Sequence, residues 1–188
     1  METTDDGSDK FREDFTSAVQ LLEQAVARDP KFAGAYWALS EANILLYRSG
    51  ETPNTDYRTR AEAALTEAQR IAPEAGETLY AQARIIYYGY RDFTRALATL
   101  EEAAKSLPNS AEVTTTRALL YRRFGRWQEA FAQFKRATEL NPQDPFNYIN
   151  ADVASTQLRW WDEHDQMEER GAKRFPRFAR EAKIHNAV

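Results

Sequence analysis

Four prolines, Pro73, Pro108, Pro142 and Pro176, recur at an interval of about 34 residues. A proline cannot continue a helix and pushes its predecessor out of helical dihedrals, so a spacing this regular marks the ends of structural units of one length. Residue types recur with the same period. Tyr87, Phe93, Ala96, Leu100, Ala103 and Pro108 are matched one period on by Tyr121, Trp127, Ala130, Phe134, Ala137 and Pro142. A period in this range predicts stacked repeats sharing one continuous core rather than a chain closed on itself.

Within each unit the spacing is helical. Ala130, Phe134 and Ala137 fall at i, i+4 and i+7, one face of a helix, with small residues for close approach and a large one to fill the gap. Ala61, Leu65 and Ala68 before Pro73, and Ala18, Leu22 and Ala25 before Pro30, repeat the pattern. Asn109 with Glu112 reads as a capping box, Asp92 as the cap of a helix starting near Phe93, and Gly125 as a left-handed residue closing a helix.

An aromatic column on a first helix, then small-x3-large-x2-small and a proline on a second, resembles the tetratricopeptide repeat family. First helices are marked by Tyr36, Leu39 and Ser40, by Tyr80 and Tyr87, by Tyr121 and by Tyr148. The resemblance implies an all-α fold, a right-handed α-solenoid of antiparallel helix pairs with about four and a half repeats. After a flexible segment, 1–10, one array is expected over 11–188. It divides into a partial repeat 11–32, a repeat 33–75 with an inserted loop at 49–56, repeats 77–110, 111–144 and 145–178, and a closing helix 178–188. The fifth repeat has His164, Glu168 and Gly171 where small, large and small residues are wanted, as a terminal repeat facing water would, while Trp161 keeps the register of an aromatic column read as core. The first element is an orphan second helix, either a cap or the remainder of a longer upstream region.

Composition narrows the function classes. With 43% hydrophobic and 29% charged residues the chain reads as soluble and globular, and no apolar run reaches the length of about 18–20 residues that spans a bilayer. An acidic, polar opening unlike a signal peptide and the lack of any cysteine fit a cytoplasmic protein. Residues 1–56 carry 11 acids against 5 bases and residues 57–188 carry 18 against 20, so neither part has the basic excess of a nucleic-acid binder. Arg117, Arg122, Arg123 and Arg126, with Arg159, Trp160 and Trp161, form the densest basic and aromatic cluster, but acids interleave elsewhere. His164 and His185 are the only histidines and are not read as metal ligands; no metal, cofactor or catalytic residue is expected, because phosphate loops, nucleophile elbows and convergent acid–base pairs are missing.

In proteins similar to this one, first helices line a concave surface that takes a peptide or a helix. Advancing by one period gives three columns on these helices: Ala81, Thr115, Ile149; Ile85, Leu119, Val153; and Tyr88, Arg122, Thr156. Trp37, Glu41 and Ile44 are the equivalents in the second repeat. The expected groove is apolar and aromatic, with Glu41 and Arg122 setting register. Family members that clamp a terminal carboxylate carry lysine, arginine and asparagine there, and Trp37, Ala81 and Ile85 argue against that mode. The leading reading is a non-catalytic scaffold binding a protein or peptide partner. The alternative is the regulatory or sensor region of a longer bacterial protein, since the repeats resemble those following winged-helix regulators or nucleotide cyclases. Partner identity and oligomeric state stay open at this stage.

Overall fold

In a computed structural model, which describes residues 6–49 and 55–175, the periodic pattern becomes nine α-helices and no strand among the described residues. The all-α architecture of helix pairs belonging to the helical-solenoid class is therefore the one the chain adopts. Helices α1 (Asp6–Arg28), α2 (Ala33–Ser49), α3 (Thr55–Ile71), α4 (Gly76–Ile85) and α5 (Phe93–Ser106) belong to one compact unit, and α4 runs on into a single π-helical turn, Ile86–Tyr90. Helices α6 (Ala111–Arg123), α7 (Trp127–Leu140), α8 (Pro145–Leu158) and α9 (Trp161–Arg174) belong to a second, which begins at Pro108.

The small-large-small faces are the core. Ala96, Leu100 and Ala103 on α5, and Ala130, Phe134 and Ala137 on α7, are all fully buried. On α3, Ala61 and Leu65 join Ile44, Ala81 and Ile85 in one cluster. The orphan helix α1 packs on α2, placing Val19 with Leu39, Ala42, Leu46 and Ala64 and leaning Phe15, Leu22 and Val26 against them.

Turn chemistry recurs with the period. Arg91, Gly125 and Arg159, each one period after the last, all hold left-handed dihedrals with φ of 56°, 70° and 57° after a first helix. Two arginines thus tolerate what glycine adopts freely, because the tertiary position of each turn is fixed by its hairpin. Asp92 caps α5 by accepting the Arg95 N–H at 3.0 Å. Asp92→Ala should lower stability by about 1 kcal/mol, read as an earlier urea midpoint with unchanged slope.

Several boundaries differ from the sequence reading. Among the described residues α1 already runs from Asp6, inside the stretch read as flexible. The cap of α6 is Ser110 and not Asn109: Ser110 Oγ accepts the Val113 N–H at 3.2 Å and donates to Glu112 at 2.7 Å. Asn109 instead accepts from Arg136 at 3.3 Å. Of the inserted loop 49–56, Ser49 ends α2 and Asp56 lies in α3, while 50–54, like Pro176 and the closing helix 178–188, lie outside the described residues. Trp161, expected in the core, is 57% exposed. Its neighbour Trp160 makes the packing contact, edge-on to Phe131 at 5.5 Å, and α9 buries only Met167.

Candidate functional site

The twelve residues expected to line a groove divide into two sets, one in each compact unit. In the first, Trp37, Glu41 and Ile44 come from α2, Ala81 and Ile85 from α4, and Tyr88 from the π-turn. Ile44, Ala81 and Ile85 do not line a surface. They are buried with Ala61 and Leu65, and Trp37, Tyr47 and Tyr88 pack partly buried against them. The physical reason is the fit of α4 against both α2 and α3: Ala81 is small enough for close helix approach, and the row one turn on is then covered.

Glu41 is engaged inside the fold as well. Its carboxylate accepts from Arg84 at 2.5 Å, with both side chains nearly or mostly buried. The Arg84 guanidinium lies 4.8 Å from the centre of the Tyr88 ring and 5.6 Å from that of Tyr80, while Arg48 approaches Tyr88 at 5.2 Å. Burial pulls the Arg84 pKa down, but Tyr80, Glu41 and Tyr88 pull harder the other way, so the group is held above its ordinary value and stays charged. Sequence reasoning missed Arg84. The signal was there, since Arg84 stands one period before Ala118, where the next repeat has a small residue.

In the second unit, Thr115, Leu119 and Arg122 come from α6 and Ile149, Val153 and Thr156 from α8. Leu119 is buried and out of a ligand's reach. Pro145 at the first helical turn and Asp144, whose carboxylate accepts the Phe146 N–H at 3.0 Å, start α8 and set its rotation. Two polar rungs then tie α6 to α8. Thr115 Oγ1 donates to Asn147 Oδ1 at 2.8 Å, and the Arg122 guanidinium donates to Asn150 Oδ1. The amide of Asn150 in turn donates to the Phe146 carbonyl at 2.7 Å, so the rung is anchored at both ends.

With Asn147, Asn150 and Ala151 turned inward, the opposite side of α8 presents Ile149 and Val153, 46% and 39% exposed, together with exposed Thr156. Phe146, absent from the expected set, completes the row: 146, 149 and 153 fall at i, i+3 and i+7. The basic cluster around 117–126 does not form a bare stripe. Arg122 holds Asn150, and Arg126 pairs with Glu129 at 2.8 Å while lying 4.4 Å from the Tyr121 ring centre.

One spacing was passed over in the sequence. His164 and Glu168 are four residues apart on α9, with Asp165 beside them, and the three donor sets lie within 4.8 Å of one another. Burial raises the Asp152 carboxyl above its usual range, and Glu168 adds to the rise, against a lowering by His164. No described helix is long and apolar enough to cross a membrane.

Paired helices closing at proline-marked intervals, with small-large-small second helices, define a helical-repeat protein. The comparisons agree: a tetratricopeptide repeat profile matches residues 11–48 and 85–145, more than half of the 188. The chain belongs to the tetratricopeptide repeat family, whose members are generally protein–protein interaction scaffolds without catalysis. Among solved structures, the Thermus thermophilus protein TTC0263 is 30% identical over 72% of this chain and 70% of its own, with a TM-score of 0.58. PilW, a type IV pilus biogenesis factor, shares the fold at 16% identity, covering 93% of this chain and 79% of its own, TM-score 0.65. YrrB, a TPR protein described as having an unusual peptide-binding site, shares it at 20% identity, covering 92% and 84%, TM-score 0.58. No curated protein sequence matches the chain.

Proposed function

We propose that this protein is a binding scaffold whose second unit captures an apolar-anchored peptide or helix on α8. The observation that carries the reading is the row Phe146, Ile149 and Val153, three large side chains each partly exposed, at 38%, 46% and 39%, on one helical face. Single exposed apolar residues are ordinary, but a contiguous row framed by polar groups marks an interaction site. Thr156 prolongs the row, while Thr115 and Arg122 on α6 hold α8 in place through Asn147 and Asn150. The partner's side of the contact is then an apolar residue every three or four positions, the helix-in-groove mode, or alternate residues of an extended strand. The peptide-binding site described for YrrB, a protein of the same fold, supports a role of this kind.

This surface is narrower than the groove expected from the sequence. Trp37 and Tyr88 keep partial exposure in the first unit, but Ile44, Ala81, Ile85 and Leu119 are core side chains, and a substitution there tests folding and not binding.

The test uses a displayed peptide library selected on the full chain, followed by calorimetric titration of the selected peptide. Ile149 and Val153 are 46% and 39% exposed, area that a ligand would bury, so Ile149→Asp with Val153→Asp should weaken binding roughly ten- to a hundredfold. The melting temperature should hardly change, because both side chains lie on the surface. Equal affinity for wild type and variant would remove α8 as the binding face.

A further inference from the structure

Where the fourth repeat has Ala118 and Ala130, both fully buried, the fifth has Asp152 on α8 and His164 on α9, each one period later. These two meet. His164 Nδ1 contacts Asp152 Oδ1, and Thr156 Oγ1 lies 3.3 Å from the same nitrogen. In the Nδ1–H tautomer, the one that a carboxylate beside Nδ1 selects, the ring presents its Nε2 lone pair on the other side.

What that lone pair faces is another carboxylate. Glu168 Oε2 is 4.0 Å from Nε2, beyond a hydrogen bond, and a lone pair opposite a carboxylate is unfavourable unless a positive charge lies between them. Asp165 brings a third donor, so that one atom from each of His164, Asp165 and Glu168 falls within 4.8 Å of the others. Two ligands on one tetrahedral zinc are about 3.4 Å apart, given bonds of about 2.0–2.2 Å, and Glu168 is exposed and free to close the difference by a rotamer shift.

We propose that α9 carries a binding site for a divalent metal of the zinc class, formed by His164 Nε2, Asp165 and Glu168, with Asp152 reaching across from α8 to fix the imidazole. A carboxylate holding the far nitrogen of a ligating histidine sets both its tautomer and its direction, and that is the part Asp152 takes here. Imidazole with carboxylates suits zinc and its neighbours and disfavours magnesium, which takes oxygen ligands and keeps its water. Three protein ligands leave a fourth position for water or for a side chain brought by a partner.

The experiment uses the full chain, stripped with chelator and titrated with zinc chloride at neutral pH. Calorimetry gives the stoichiometry, and long-range proton–nitrogen NMR of the imidazoles separates His164 from His185. The expected result is one zinc per chain with the nitrogen shift on His164, and no such shift with magnesium chloride. Glu168→Gln, an exposed change that leaves the fold intact, should weaken zinc at least tenfold. Asp152→Asn should weaken it by roughly 10–100-fold while one ion still binds. The proposal is overturned if His164 only takes a proton and no zinc, if zinc shifts His185 equally, or if both variants bind zinc like the wild type.

Discussion

Truncating Glu41 to alanine should lower the stability of the protein by about 3–5 kcal/mol, the cost of leaving a buried charge without its partner. The charge left behind is Arg84, held against Glu41 at 2.5 Å and otherwise enclosed by the rings of Tyr80 and Tyr88. Two escape routes are closed to it. Deprotonation is unfavourable because a guanidinium keeps its proton in proteins, and the rings supply only a cation–π attraction of about 0.5–2 kcal/mol, short of what a carboxylate gives. Thermal melts should show the loss as a drop of about 2–4 °C for each kcal/mol in a chain of this size. The double change Glu41→Leu with Arg84→Met removes both charges and should recover most of the stability, since an apolar pair of similar volume replaces an ion pair at little or no cost. A loss below about 1 kcal/mol for Glu41→Ala would show a pair screened by water, as on a surface.

Phe134→Ala is expected to be comparably damaging, about 3–5 kcal/mol, through the cavity it opens. Phe134 is fully buried, and it sits between Ala130 and Ala137, which are too small to move into the space. Trp161→Ala is the contrasting case on the neighbouring hairpin. The side chain is larger, but it is mostly in solvent, so the change should cost no more than about 0.5 kcal/mol. Chemical denaturation of both variants orders them, and a smaller loss for Phe134→Ala than for Trp161→Ala would contradict the burial seen here.

Residue pattern and structure agree on the second-helix columns, whose burial is decided within one helix pair. The columns Ala96, Leu100, Ala103 and Ala130, Phe134, Ala137 are buried as their spacing requires, because the hairpin that covers them is contiguous in sequence. Asp92 caps α5 and Gly125 turns left-handed for equally local reasons. The candidate site fared differently. Ala81 and Ile149 share one column and Ile85 and Val153 another, yet the first of each is 1% and 3% exposed and the second 46% and 39%. A column drawn at the repeat period carries no record of what lies beside each helix. In the first unit α2 and α3 cover the face of α4, whereas α8 turns that face to water. Polar partnerships were hidden for a similar reason. Arg84 with Glu41, Thr115 with Asn147, and Asp152 with His164 join residues from different helices, and each depends on a rotation that spacing fixes only to within a residue.

From the sequence alone came the helix-pair repeat, its period, its second-helix cores and most of its turns, all consequences of backbone preference and of side-chain volume within the span of one repeat. Only the tertiary structure decided which first-helix faces meet water, which charges are enclosed, and that Phe146, Ile149 and Val153 stand free on α8. Exposure is a property of what a neighbouring helix covers, and a neighbour's distance and rotation are set by packing, not by the residues it hides.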